Sequence, residues 1–154
     1  IGLVGVPARA CGIELDVRKD HPFGPYGEHP VMPSLARSGN VRSRAWVRWA
    51  EQQESVRFLQ ERLEALALSD PDPRPAPLPP LAPEHLALSM VEGWRGEVLH
   101  LAITDAEGRF ERYKMVDPSF HNWYGLALAL RGEQISDFPL CNKSFNLSYC
   151  GHDL

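Results

Sequence analysis

The sequence predicts an α+β protein with one long amphipathic helix, a proline-rich connector, a β-hairpin and a shorter helix. Three observations lead to this prediction: residues 41–68 contain neither Gly nor Pro, prolines crowd residues 71–83, and two apolar runs flank a short turn at Asp105–Gly108. The chain has 154 residues, of which 44% are hydrophobic, so it is long enough to bury one core. We therefore interpret residues 1–154 as one domain.

The opening segment, Ile1–Arg37, is rich in Gly and Pro and carries a dense charged cluster at Glu14–His21. Such frequent helix breakers predict irregular backbone, with at most a short helix near Arg9–Arg18. Because the chain begins at Ile1 without a methionine, we interpret it as a piece of a longer protein.

A long helix is predicted over Val41–Leu68, with Asn40 in the segment that caps its start. Apolar residues recur there at three- and four-residue steps, which is typical of one helix face. We expect this face to need a covering partner, so that the isolated chain exposes it and self-associates. The apolar stripe comprises Ala45, Trp49, Val56, Leu59, Leu63 and Leu66. The predicted solvent side comprises Arg42, Arg44, Arg48, Glu51, Glu54, Arg57, Glu61, Arg62 and Glu64.

Residues 69–84 form the predicted connector, because closely spaced prolines remove amide donors and favour extended backbone. Residues 85–154 then supply a hairpin, whose strands Glu97–Thr104 and Arg109–Val116 flank the turn. A second helix is predicted to start at Asp117-Pro118 and to end at Arg131-Gly132. The remainder, Glu133–Leu154, is predicted to be short strand and loop.

Composition excludes several classes of function. A net charge of -4 argues against a nucleic-acid partner, and no apolar stretch approaches the roughly 20 residues that cross a bilayer. Three cysteines leave an odd thiol, which favours a reducing cytoplasm. No hydrolytic motif, phosphate loop or dinucleotide fingerprint occurs. Zinc is disfavoured because the spacings of the candidate ligands do not fit paired short intervals. Those candidates are Cys11, Cys141, Cys150 and His152.

Three motifs resemble a known family. Ala8–Phe23 (ARACGIELDVRKDHPF) is similar to the pattern R-A-S-G-x-x-x-D-x-R-K-x-x-P-Y, and Glu92–Glu97 (EGWRGE) is similar to E-A-P-R-G-E. Met115–Trp123 (MVDPSFHNW), with Gly132 and Asp137 after it, resembles V-R-x-P-S-F-x-N…G…x-D-x-P. Together, and in this order, they resemble the family that joins nickel-iron hydrogenase large subunits to the quinone-site subunit of respiratory NADH:quinone oxidoreductase. The closest likeness is to large subunits of membrane-bound hydrogenases and formate hydrogenlyases.

This resemblance implies a carboxyl-terminal fragment of the hydrogenase large-subunit fold. It implies a subunit of a membrane-attached redox complex, peripheral on the cytoplasmic side and seated on an iron–sulfur small subunit. No cofactor is expected in this chain itself, quinone is a candidate acceptor, and the isolated chain is expected to be inactive. Whether the whole protein is an enzyme, and its electron donor and acceptor, stay open from the sequence.

The chain departs from the hydrogenase pattern at its end. Hydrogenases of this family finish with D-P-C-x-x-C, whose thiolates hold the nickel–iron centre, whereas Asn146–Gly151 (NLSYCG) stands here. The two ligand positions fall on Ser148 and Gly151, and Cys150 lies between them. We therefore predict that this chain holds no metal.

Four residues are candidates for the site. The resemblance implies catalytic roles for Asp16, which in the respiratory branch lies behind the quinone headgroup, and for Arg95, which in hydrogenases lies over the metal pocket. It places Asn146 and Ser148 in the wall of the same pocket, with Arg95 turning to Asp16, to Glu97 or to a bound anion. The residues alone permit a simpler interpretation, in which Asp16 only pairs with Arg18 or Arg9 and Arg95 is a surface charge. Two hypotheses follow: an oxidoreductase subunit, or a non-catalytic docking module that kept the fold.

Overall fold

The structure, a computed structural model, describes residues 1–68 and 77–153. Within these ranges it contains seven α-helices, one short 3₁₀ helix and one antiparallel three-stranded sheet, which confirms the predicted α+β class. The elements are α1 Gly5–Ala10, α2 Val17–Asp20, α3 Pro25–Glu28, α4 Val41–Ala67, β1 Leu86–Gly93, β2 Gly96–Thr104, β3 Phe110–Val116, α5 Pro118–Ala129, the 3₁₀ helix Ile135–Asp137, α6 Phe138–Phe145 and α7 Tyr149–His152.

The opening segment differs from the prediction of a single short helix near Arg9–Arg18. Three short helices form instead, and residues 11–16 between the first two are not helical. Each short helix ends after one or two turns because Gly12, Pro22 or Pro30 follows closely. The charged cluster Glu14–His21 therefore lies on the non-helical segment before α2 and on α2 itself. The Asp16 side chain caps α2 by accepting a hydrogen bond from the Arg18 amide.

Helix α4 confirms the predicted long helix, and the Asn40 side chain caps it by accepting from the Ser43 amide at 2.9 Å. Most of its apolar stripe faces solvent in the described structure: Trp49 is 61% exposed and Leu63 is 62% exposed. The predicted exposure of this face is therefore confirmed, while the predicted self-association stays a prediction. No helix among the described residues carries an apolar stretch long enough to cross a bilayer.

The prediction that Arg44 and Arg48 face solvent is wrong. Arg44 is 3% exposed, and Arg48 is half-buried, because α4 packs its basic side against α6. The buried residues of α4 are Ser43, Arg44 and Val47, of which only Val47 is aliphatic. The helix thus turns polar groups toward its own chain and leaves most of its apolar stripe uncovered.

The predicted hairpin is part of a larger sheet. The strands Gly96–Thr104 and Phe110–Val116 pair as expected, but β1 adds a third strand, in the order β1-β2-β3. A two-residue turn of Trp94 and Arg95 joins β1 to β2, closed by the pair Gly93 and Gly96. Residues 77–85, at the end of the predicted connector, form no helix or strand, and residues 69–76 lie outside the described part.

The end of the chain is helical, so the prediction of strand and loop over Glu133–Leu154 is wrong. Asp117 caps α5 and Pro118 is its first residue, as predicted, but the helix ends at Ala129, two residues early. Helices α6 and α7 follow, separated by Asn146 in the left-handed conformation. Helix α6 packs on α4 and α5, where Leu126, Cys141 and Phe145 form a small core.

The first residues of the chain cross the β1–β2 turn at close range. Gly5 has φ +61°, and a Cβ there would lie 2.3 Å from the carbonyl oxygen of Arg95. The fully buried Asn122 of α5 holds the preceding residue, because its Oδ1 accepts from the Val4 amide at 3.0 Å and its Nδ2 donates to the Val4 carbonyl at 3.1 Å. Residues 4 and 5 therefore tie the turn to α5.

Candidate functional site

A network of buried charges lies where α1, α2, α4 and β1 meet, and Arg9 is its centre. Arg9 is 1% exposed and donates Nε and Nη2 to the two carboxylate oxygens of Glu51, at 2.5 and 3.1 Å. Its Nη1 donates to Glu92 Oε1 and to the Leu15 carbonyl, both at 2.8 Å, and lies 3.5 Å from Asp16 Oδ2. One guanidinium thus serves three carboxylates, which is why it tolerates burial.

Asp16 is held by Arg18 within this network. Its two oxygens accept from Arg18 Nε at 2.9 Å and Nη2 at 2.6 Å, and its side chain is fully buried. The structure therefore shows the ion pairs with Arg18 and Arg9 that the residues alone suggested. The catalytic role that the resemblance implies for Asp16 stays a prediction.

Burial and pairing shift the pKa values of these groups in different directions. Burial disfavours the ionised form of Asp16, but hydrogen bonds and charge from Arg18 outweigh it and hold the pKa of Asp16 below its usual value. Burial raises the pKa of Glu92, against the opposing charge of Arg9. Burial also opposes ionisation of Arg9, yet Glu51 and Glu92 raise the pKa of its guanidinium. Of Asp16 and Glu92, Glu92 is therefore the carboxylate that protonates more readily as the pH falls.

A cavity of about 270 Å³ opens beside the network. Arg9, Arg18, Glu51 and Glu92 line one side of it, and Trp94 and Arg48 are also in its wall. A mixture of fixed charges around a cavity of this kind orients a polar ligand.

Arg95 lies in the β1–β2 turn, and its Nε donates to the carbonyl oxygen of Asn146 at 2.5 Å. The structure thus brings together two of the candidate residues that lie 51 positions apart. No hydrogen bond or ion pair joins Arg95 to Asp16 or Glu97 among the described residues, so two of its three expected partners are not found. The third, a bound anion, stays a prediction. Asp16 instead belongs to the Arg9 network, which Glu92 connects to the same turn.

The end of the chain does not fit a pair of thiolate ligands. Ser148 caps α7 by accepting from the Gly151 amide at 3.0 Å, and its own amide donates to Ser119 Oγ at 2.9 Å. A Cβ on Gly151 would lie 2.5 Å from Asp117 Cγ, so a cysteine there requires Asp117 to move. Across residues 1–68 and 77–153, no three His, Cys, Asp or Glu side chains form a group that could hold a metal ion.

This chain matches the sequence profile of the respiratory-chain NADH dehydrogenase 49 kDa subunit family over residues 1–76 and 79–153. The chain belongs to this family. The match includes the Arg9 network, the Arg95 turn and the Asn146–Gly151 end, so the family assignment covers every candidate residue. The resemblance inferred from the three motifs is therefore confirmed.

Relatives within the family come from both of its branches. The chain is 34% identical over 145 residues to the carbon monoxide-induced hydrogenase of Rhodospirillum rubrum, covering 94% of this chain and 39% of the relative. It is 31% identical over 165 residues to NADH-quinone oxidoreductase subunit 4 of Thermus thermophilus, covering 89% and 39%. It is 30% identical over 153 residues to formate hydrogenlyase subunit 5 of Escherichia coli, covering 95% and 25%. The chain thus spans about two fifths of the first two relatives.

A solved structure also matches the fold. A chain of the membrane-bound sulfane sulfur reductase, an archaeal respiratory membrane complex, superposes with a TM-score of 0.85 at 26% sequence identity. The superposition covers 99% of this chain and 43% of that chain. The arrangement of α4, the sheet and the helical end is therefore shared with that chain.

Sequence reasoning named Arg9 only as an alternative partner of Asp16, and it missed the roles of Glu51, Glu92 and Arg48. Arg9 and Glu92 lie inside the quoted motifs, and their acid-base complementarity was the available signal for a pair. Glu51 and Arg48 lie on the predicted solvent side of α4, where periodicity gives no sign of burial. The partners in the network are also distant in sequence, since Arg9 lies 42 positions from Glu51 and 83 positions from Glu92.

Proposed function

We propose that this chain is the carboxyl-terminal part of the large subunit of a membrane-attached oxidoreductase complex. In this proposal the subunit sits on an iron–sulfur small subunit at the cytoplasmic face and passes electrons to a quinone-type acceptor, without a nickel–iron centre. Family membership and the names of the relatives support the oxidoreductase role. The donor, the acceptor, the partners and the location are parts of the proposal.

The geometry of the chain end carries the proposal. A nickel–iron centre requires thiolates at the positions of Ser148 and Gly151. The hydroxyl of Ser148 is used to cap α7, and the space beside Gly151 is filled by Asp117. The Arg95 turn beside it nevertheless keeps an ordered guanidinium. This combination supports a redox pocket in which protein groups, rather than a metal of this chain, contact the acceptor.

In the proposed pocket, Arg95 contacts the acceptor. Its Nε is fixed on the Asn146 carbonyl, while its two terminal nitrogens have no hydrogen-bond partner among the described residues. They are free to donate to an acceptor oxygen, which stabilises the charge that develops there on reduction. Asp16 acts through Arg9 and Arg18, and Ser148 fixes the backbone that positions Asn146.

Elemental analysis of the purified intact complex tests the absence of nickel. We expect iron from the partner subunit but no stoichiometric nickel, because two of the required thiolates are replaced. A hydrogenase of the same family, purified in parallel, is the positive control. About one nickel per large subunit would contradict the proposal, since a nickel–iron site takes one such ion.

The docking-module hypothesis remains a second candidate. The apolar stripe on α4 is exposed, and both oxygens of the buried Asp16 carboxylate already pair with arginines. Arg95→Met separates the two. If Arg95 contacts the acceptor, decylubiquinone reduction by the intact complex should fall about 100-fold, as for loss of one such donor. Arg131→Met, at an exposed arginine, is the matched control. Unchanged turnover in Arg95→Met would favour the docking module.

A further inference from the structure

Three arginines converge on the carboxyl-terminal end of α6, and we call them the arginine cluster: Arg44, Arg48 and Arg95. Arg44 Nε donates to Ser144 Oγ at 2.8 Å, and Arg48 Nη2 donates to the Phe145 carbonyl at 3.0 Å. Arg95 donates to the next carbonyl, that of Asn146. Arg44 also donates to the Gly39 carbonyl and to Cys141 Sγ, so none of the hydrogen-bond acceptors of the three guanidinium groups is a carboxylate.

No carboxylate contacts the arginine cluster within the described residues, and Glu51 acts on Arg48 only at longer range. None of its members forms an ion pair in residues 1–68 and 77–153, although Arg44 is 3% exposed. The equally buried Arg9 shows the usual solution, with three carboxylates around it. The end of a helix supplies only about half a negative charge. Three guanidinium charges therefore exceed what α6 offsets.

Arg48 is the member with an unsatisfied group. Its Nε is buried and has no hydrogen-bond partner among the described residues. Burial, together with the neighbouring charge of Arg44, lowers the pKa of Arg48 to about 10. A buried donor without an acceptor costs free energy, and an acceptor at this nitrogen would remove that cost.

Arg48 faces two cavities of different character. The cavity beside the Arg9 network also presents Glu51 and Glu92, which repel an anion. The second cavity, about 400 Å³, lies between α4 and α6 and combines Arg48 with Lys143, Gln52 and Ser144. No Asp or Glu lines this second cavity, and its other walls are apolar, from Val41, Ala45, Trp49 and Leu140.

We propose that the α4–α6 cavity is a binding site for a small oxyanion, held by Arg48 and Lys143 and favoured by the charges of Arg44 and Arg95. Arg48 already donates through Nη1 to the Ser144 carbonyl and through Nη2 to the Phe145 carbonyl, so its unpaired Nε and the second hydrogens of the terminal nitrogens are the donors left for an oxyanion. Gln52 adds a neutral donor, whereas the Ser144 hydroxyl already donates to the Cys141 carbonyl. The anion supplies the acceptor that the arginine cluster lacks. This site does not depend on the proposed electron-transfer role.

Isothermal titration calorimetry of the intact protein with sodium sulfate tests the site. We expect saturable binding of sulfate, weakened at least about tenfold in Arg48→Met, the loss of a charge-assisted pair. Arg48→Lys should keep part of the affinity, because it keeps the charge but not the fork. Arg57→Met is the matched control on the same helix, since Arg57 is exposed and already pairs with Glu54 and Glu61; its affinity should equal wild type.

Two results would overturn the proposal. One is the absence of saturable sulfate binding by the wild type, which is also the result expected if a carboxylate elsewhere in the intact protein already occupies the arginine cluster. The other is equal sulfate binding by wild type and Arg48→Met. If Arg48→Met does not fold, thermal unfolding of the wild type in sulfate and in chloride at equal ionic strength decides: equal midpoints reject the site, and a higher midpoint in sulfate supports it.

Discussion

Replacing Arg9 by Met should destabilise the intact subunit by about 3 to 5 kcal/mol, the cost of removing one partner from a buried charge network. The substitution leaves Glu51, Glu92 and Asp16 without the guanidinium that they share. Methionine fills a similar volume, so the loss reports charge rather than a cavity. Urea unfolding of the purified subunit measures the difference.

The control for this change is Arg57→Met on the surface of α4, where we expect little change because exposed ion pairs contribute little. Arg9→Met combined with Glu92→Gln should recover part of the loss, since it removes one of the unpaired carboxylates. An Arg9→Met protein as stable as the wild type would show that the network does not stabilise the fold.

Gly5→Ala should cost about 3 kcal/mol or more, because it combines a left-handed backbone conformation with a direct clash. The new Cβ would lie 2.3 Å from the Arg95 carbonyl oxygen and 2.3 Å from Gly96 Cα, and both are backbone atoms that cannot rotate away. The β1–β2 turn must therefore move, and Arg95 moves with it. Urea unfolding measures the stability, and the decylubiquinone assay of the proposed function reports the displaced turn.

Two glycines separate the contributions. Gly24 also has a positive φ, but nothing lies within 4 Å of a Cβ there, so Gly24→Ala isolates the backbone strain. Gly27→Ala has neither strain nor contact and should be neutral. If Gly5→Ala proves no worse than Gly24→Ala, the close crossing of the first residues over the turn is incorrect.

Local chemistry in the sequence predicted local structure well. Asn40 and Asp117 start helices as N-caps, and Gly108, with φ +74°, closes the turn before β3. These signals act within a few residues, so the sequence beside them is sufficient. The long helix could also be predicted from the sequence, since it contains no helix breaker from Val41 onward.

Local sequence signals could not predict which side of α4 is buried. Periodicity identifies an apolar face, but not which chain segment approaches it. Here the carbonyls of Ser144 and Phe145 approach the basic side, so Arg44 and Arg48 are packed against α6 while Trp49 is exposed. The same limitation hid the role of Glu51, whose partner Arg9 comes 42 residues earlier.

The clamp of Asn122 on Val4 has a consequence for the order of folding. It joins positions 118 residues apart, and the turn that carries Arg95 is ordered against the residues so clamped. Closing so long a loop loses chain entropy before any contact compensates it, which slows folding in general. Helix α4 and the β2–β3 hairpin, made of local contacts, should therefore form early. The pocket proposed around Arg95 should be among the last parts of the subunit to become structured.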